Sequence, residues 1–286
     1  MPYRHAGEIG DVWKHLPLCD ILKVEKPKRY IETNSASPFY ILSRKPELEY
    51  GIYNLVNNIE KSPVLIKSLY YKTLLSFNEK EIKRYLGSPG LAMTILKDIV
   101  NQYIFCDIEE EPLDEINRFA DNLGIGNKVK TIHGDSIDFG FRFIPELNYD
   151  DFVFLDPYWP FDENETGYSF FDLFIVLAKT NIRCVLWYGY DTLNSKEKIV
   201  SFAKEKLDRI KLEKHSIKGV NMFLRVLQED KVVFNPGVPG CGVLVANLSE
   251  QSVEKLLVFS EELQKFYKKV KYEGFDGELS REVIDF

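Results

Sequence analysis

Residues 152–155 form an apolar run that leads straight into Asp156-Pro157-Tyr158-Trp159-Pro160. An apolar run closed by proline reads as a buried strand whose C-terminal end opens into a loop, where open α/β sheets place their sites. A carboxylate there, beside a proline and two aromatics, suits a group that grips a flat base and accepts hydrogen bonds from its exocyclic amine. Such a nitrogen is a poor nucleophile, because its lone pair is delocalised into the ring. The Asp156 carboxylate and the Pro157 carbonyl would accept its two N–H bonds and draw it toward tetrahedral geometry, while Tyr158 or Trp159 stacks on the extruded base. The same residues also fit a plain turn, since Asp-Pro favours turn initiation and aromatics often cover a sheet end.

Three more acids, Glu32, Asp107 and Asp135, fall at the ends of strand-like runs. In a doubly wound sheet the ends of the first four strands converge on one crevice. If the ligand is S-adenosylmethionine, each of the four has a conventional role: one near the amino group, Asp107 on the ribose hydroxyls, Asp135 (after the small Gly134) beside the adenine amine, and Asp156 facing the substrate. A single such acid means little, because solvated acids at strand ends are common. The N-terminus adds Tyr3-Arg4-His5 and Asp11-Val12-Trp13-Lys14-His15. The first triplet could stack on bases and touch phosphate or RNA hydroxyls, and Lys14 offers a point charge for a ligand carboxylate. The bland alternative is a frayed terminus with a helix beginning near Asp11.

These side chains need a scaffold. Strands are expected at 29–33, 103–106, 129–132, 152–155, 183–187, 221–226 and 242–246. Ser88-Pro89 reads as a helix start with the hydroxyl at the N-cap, and further helices are expected over 195–207 and 252–270. Strands alternating with helices point to an α/β fold with a mostly parallel, seven-stranded sheet. Residues 42–86 interrupt the alternation with charged, helix-patterned sequence. The division is therefore a core of residues 1–41 and 87–286 with a helical insertion at 42–86.

The chain has 286 residues, 45% of them hydrophobic, and a formal net charge of −7. That charge argues against coating nucleic acid nonspecifically, so phosphate contacts must be local. Residues 1–30 carry six basic and four acidic side chains, and residues 43–84 eight and five, surpluses that also suit an ordinary solvated face. Cys19, Cys106, Cys184 and Cys241 form no CxxC pair and lie near no histidine at ligand spacing, so no metal site is expected. With no apolar leader and no spanning segment, a cytoplasmic protein free of the membrane is expected.

In their order, these landmarks resemble the RlmJ-type family of large-subunit ribosomal RNA adenine-N6 methyltransferases. Tyr3-Arg4-His5 and Asp11-Val12-Trp13-Lys14-His15 match that family's N-terminal motifs, with a shorter gap. Glu32-Thr33-Asn34-Ser35-Ala36 stands for its loop after the first strand, and Tyr85-Leu86-Gly87-Ser88-Pro89 for its Tyr-x-Gly-Ser-Pro motif. Asp107, Gly134-Asp135, Asp156-Pro157-Tyr158-Trp159, Leu186-Trp187-Tyr188 and Gly242-Val243-Leu244-Val245 follow. The resemblance covers most of the chain.

It implies a Rossmann-like class I methyltransferase core, S-adenosylmethionine as methyl donor, and one adenosine of large-subunit rRNA as substrate. That rRNA is expected naked or in an assembly intermediate, and a monomer is the expected state, although the sequence does not fix it. Asp156, Pro157 and Trp159 would be catalytic. Lys14, His15, Glu32, Asn34, Ser88, Asp107 and Asp135 would line the cofactor site, and Tyr3, Arg4, His5 and Tyr158 the substrate site. Two departures stand out: the family's glycine-rich cofactor loop reads Asn34-Ser35-Ala36-Ser37-Pro38, and Tyr158 replaces the second proline of an Asp-Pro-Pro-Tyr motif. The alternatives are adenine-N6 methylation of DNA or another RNA, and a degenerate protein of the same fold that binds nucleic acid or nucleotide without catalysis.

Overall fold

A computed structural model describes residues 6–79, 81–209, 217–226, 238, 240–267, 270–272 and 275–285. Tyr3, Arg4 and His5 lie outside the described residues.

The apolar runs become strands: β1 (Arg29–Thr33), β4 (Gln102–Asp107), β5 (Val129–His133), β6 (Asp151–Leu155), β7 (Arg183–Tyr190), β8 (Lys218–Val226) and β9 (Gly240–Ala246). They lie in the order β5-β4-β1-β6-β7-β9-β8. This is the 3-2-1-4-5-6 Rossmann order with one strand, β9, inserted antiparallel between the last two. The sheet has nine strands, not the expected seven. A hairpin of β10 (Val270–Tyr272) and β11 (Phe275–Asp285) extends it, with β11 antiparallel to β8. The helix expected through residue 270 accordingly ends earlier, as α10 (Glu250–Phe266), capped by the Ser249 side chain.

Alternation along the strands divides the core in two. Tyr30, Phe105, Phe152, Phe154 and Trp187 face one layer, with α1 (Ile9–Glu25), α10 and α5 (Ser88–Leu96). Ile31, Cys106, Val153, Leu155 and Leu186 face the other, with α7 (Ser136–Phe143), α8 (Phe170–Lys179) and α9 (Leu193–Asp208). Between α7 and β4 in sequence lies α6 (Glu110–Asn122), whose Leu113, Ile116 and Ala120 pack into the α1 layer. The alternation also fixes the site. Glu32 and Asp156 each stand two residues beyond a side chain of the α1 layer, Tyr30 and Phe154, and so point toward α1.

Residues 42–86 hold α2 (Pro46–Tyr50), α3 (Ile52–Asn58) and α4 (Leu69–Ser76). A short antiparallel pair, β2 (Phe39–Ile41) with β3 (Arg84–Leu86), closes the segment at its neck. Leu48, Leu55, Leu65, Tyr70 and Leu74 from this segment are buried in the same cluster as α1. Among the described residues no helix is long and apolar enough to cross a membrane.

Candidate active site

The loops after β6, β1, β4 and β5, four neighbours in the sheet, end side by side. They carry Asp156, Asn34–Pro38 in numbers 34–38, Asp107 and Asp135. Asp156 is the most deeply set of the three loop acids. Its Oδ2 accepts a hydrogen bond from Lys14 Nζ at 2.8 Å, and its Oδ1 is buried with no partner. Lys14 also lies 3.3 Å from Asp11 Oδ1 and 4.8 Å from the centre of the Trp187 ring. Burial pushes Asp156 up to about 6, against the pull of Lys14 and with a further push from Asp11 and Asp107. Burial alone would discharge Lys14; the Asp156 and Asp11 carboxylates outweigh it and keep the ammonium charged.

Glu32 is fully buried below this pair. Tyr30 Oη donates to its Oε2 at 2.8 Å and Ser88 Oγ to its Oε1. Burial raises Glu32 to about 8, helped by Asp156 and opposed by Ser88, Tyr30 and Lys14. Both Glu32 oxygens are thus engaged inside the protein. Ser88 does not cap its helix as expected: the N-cap is Gly87, and the hydroxyl turns inward to Glu32 instead. His15 is buried too, with Nδ1 2.8 Å from Tyr85 Oη, and desolvation lowers it to about 3, so the ring is neutral. His15 therefore packs within the α1 layer, between Tyr70 and Tyr85.

The loop after β1 makes its turn without glycine. Asn34 and Ala36 both adopt the left-handed region, at φ +56° and +50°. Asparagine tolerates that conformation, whereas alanine there costs about 1–2 kcal/mol. Asp107 repays the strain structurally: its Oδ2 accepts from Ala36 N and its Oδ1 from Glu109 N, both at 2.9 Å. Each carboxylate oxygen retains a further lone pair. The chain also packs tightly underneath, where a Cβ on Gly90 would lie 2.1 Å from Pro38 O and one on Gly87 2.3 Å from Ser37 O. Asn34 Oδ1 is buried and unpartnered.

Asp135 caps α7, its Oδ1 accepting from Asp138 N at 2.7 Å, and Asn164 Nδ2 reaches the same oxygen at 3.2 Å. That bond ties the loop beyond Trp159 to the N-cap of α7. Within the 156–160 motif, Gly189 N donates to Tyr158 O at 2.8 Å and Phe171 N to Pro160 O at 2.9 Å. The two aromatics differ. Trp159 is half-buried, edge-on to Phe161 at 6.1 Å, while Tyr158 is 45% exposed with its hydroxyl on Asp191. Gly189 makes room for Tyr158, since a Cβ there would meet its ring at 2.5 Å. A cavity of about 280 Å³ lies between β2 and α2, lined by Ala6, Tyr40, Lys45 and Leu48 among others. Tyr40 connects it to the β1 loop, because its hydroxyl accepts from Ser37 N at 3.1 Å.

The structure thus gathers Lys14, Asp156 and Glu32 at one end of α1 and sets Asp107, Asn34 and Asp135 along the adjoining loops. Asp11 was named from the sequence only as the start of the N-terminal motif and given no role in the site, although its place three residues before Lys14 on a helix is a readable signal. Asp11 Oδ2 accepts from Gly7 N at 2.8 Å, which fixes the start of the described chain against the site.

No protein-family model matches the sequence, and no curated protein matches it. Among solved structures, the O-methyltransferase TomG from Streptomyces achromogenes, in complex with SAM, is 12% identical with a TM-score of 0.42, covering 81% of this chain and 78% of its own. An rRNA methylase from Streptococcus thermophilus is 11% identical with a TM-score of 0.39, covering 81% and 95%. Likenesses at that level carry no weight here. Protein LPL1258 from Legionella pneumophila, described under the family model DUF519, is 21% identical with a TM-score of 0.73, covering 98% of both chains. The chain therefore shares, over nearly its whole length, the fold of that protein.

Proposed function

We propose that the chain is an S-adenosylmethionine-dependent methyltransferase acting on N6 of an adenosine in large-subunit ribosomal RNA. The observation that carries this reading is the buried Asp156 Oδ1, an acceptor without a partner at the C-terminal edge of the sheet. Buried acceptors are nearly always satisfied, so an empty one at a strand end is an invitation to a donor from outside. An exocyclic amine is such a donor, and Pro157 stands next in the chain to offer its carbonyl to the second N–H bond. Trp159, half-buried beside Phe161, would supply the stacking surface, with the more exposed Tyr158 next to it on the substrate side.

The residues present fit the cofactor. Asp107 has lone pairs left for two ribose hydroxyls, and Asn34 Oδ1 is a second buried acceptor awaiting a donor. Asp135, at the N-cap of α7, would lie beside the adenine amine. When bound, S-adenosylmethionine supplies an electrophilic methyl group. Asp156 would hold the acceptor amine through one of its N–H bonds. The rRNA target itself rests on the sequence resemblance and on the Tyr3-Arg4-His5 terminus.

Calorimetric titration with S-adenosylmethionine tests the cofactor half. Binding in the micromolar range is expected for the wild type and for Asp156→Ala, with methyl transfer lost only in the variant. Absence of binding at millimolar cofactor would contradict the proposal.

A further inference from the structure

The Lys14–Asp156 contact has a feature that a merely structural ion pair lacks. Its acid is satisfied on one oxygen only: Oδ2 takes the Lys14 proton at 2.8 Å while Oδ1, equally buried, takes none. Buried ion pairs contribute little net stability, and one left half-satisfied is worse than an apolar replacement. The lysine is fixed from three sides, by Asp156, by Asp11 at 3.3 Å and by the Trp187 face at 4.8 Å. Asp11 is in turn held by Gly7 N. The Lys14 and Asp156 side chains are only 11% and 9% exposed, so the pair is largely shielded from solvent.

We propose that Lys14 is a positioning residue for Asp156: it clamps Oδ2, keeps the carboxylate ionised, and leaves Oδ1 as the oxygen that the substrate amine reaches. The proposal rests on Asp156 being the amine acceptor. It assigns Lys14 to the substrate side of the reaction rather than to a cofactor carboxylate, because two of the ammonium's three donors are already used and its remaining face covers an indole. Orientation and charge then come from one residue. A carboxylate set this deep, with Asp11 on α1, Glu32 and Tyr30 on β1 and Asp107 on β4 around it, would protonate readily without a cation beside it.

The test reads Asp156 itself. Its carboxyl carbon, followed by 13C NMR and assigned by its disappearance in Asp156→Asn, is expected to titrate near pH 6 in the wild type. In Lys14→Met that midpoint should rise by about 1–3 pH units, the usual effect of removing an opposite charge at this range. Lys14→Arg should restore it to within about half a unit, and Asp11→Asn, which keeps the lysine, should lower it. Binding of S-adenosylmethionine at pH 8 should change less than about threefold in Lys14→Met, while kcat falls at least tenfold.

An unmoved Asp156 midpoint in Lys14→Met would overturn the proposal, as would a tenfold or larger loss of cofactor affinity with the midpoint unchanged. If Lys14→Met does not fold, Lys14→Gln carries the same test, with the same rise of the Asp156 midpoint expected and an unmoved midpoint overturning the proposal. Failure of the methyltransferase reading shows separately, as a wild type that binds no cofactor, and leaves the NMR result readable.

Discussion

Turnover should fall about tenfold between pH 7 and pH 5, because activity follows the ionised fraction of Asp156. The carboxylate accepts an N–H bond from the amine and the carboxylic acid does so poorly. Burial in the crevice raises the group to about 6 in spite of Lys14. At pH 5 a group titrating at 6 is about one-tenth ionised, while an exposed aspartate would still be about nine-tenths ionised. The acid limb therefore separates a buried catalytic carboxylate from an ordinary one. The assay is transfer of a radiolabelled methyl group at saturating cofactor and RNA from pH 4.5 to 8, with circular dichroism at each pH to confirm folding. Asp156→Asn should run roughly 100-fold or more below wild type at every pH and show no such limb. A wild-type profile flat down to pH 5, or an acid limb that survives in Asp156→Asn, would refute the reasoning.

Other consequences follow from the neighbouring loops. Asp107→Ala removes the acceptor for Ala36 N and, on the proposed function, for the ribose hydroxyls, so cofactor affinity should fall about 10- to 100-fold by calorimetry, at roughly 1.5–3 kcal/mol for hydrogen bonds to a charged group. Gly90→Ala places a Cβ 2.1 Å from Pro38 O, so urea unfolding should show a loss of about 1–3 kcal/mol, with weakened cofactor binding as the β1 loop shifts; an unchanged midpoint would show that the loop yields freely. Glu32 titrates at about 8 in the folded chain, well above an exposed carboxyl, so its contribution to stability is complete at low pH and is lost as the pH rises toward 8. Glu32→Gln should therefore flatten the fall in melting temperature between pH 5 and 8, and an unaltered slope would count against the burial argument.

The central strands β4, β6, β7 and β9 were legible because they are nearly continuous apolar runs, as expected of strands covered on both faces. That pattern also located Asp107 and Asp156, since an acid that ends such a run has few places to be except the sheet edge. The hairpin of β10 and β11 was not legible. In β11, Leu279 and Ile284 are buried but five residues apart, with Val283 exposed between them, so no period of two marks the strand. Ser88 misled in a different way: its place before Pro89 has the chemistry of a cap, but Glu32, 56 residues away, competes for the hydroxyl and wins. The glycine-free loop looked like a loss from sequence. Its backbone nonetheless reaches the left-handed region at Asn34 and Ala36, held there by the tertiary bond to Asp107. The pairing of Lys14 with Asp156 spans 142 residues, and no local pattern announces it.

The most direct test of the proposed function is nucleoside mass spectrometry of large-subunit rRNA incubated with the purified protein and S-adenosylmethionine. One new N6-methyladenosine per rRNA molecule is predicted, absent when Asp156→Ala replaces the wild type. Unmodified rRNA after incubation with wild-type protein that binds the cofactor would contradict the account.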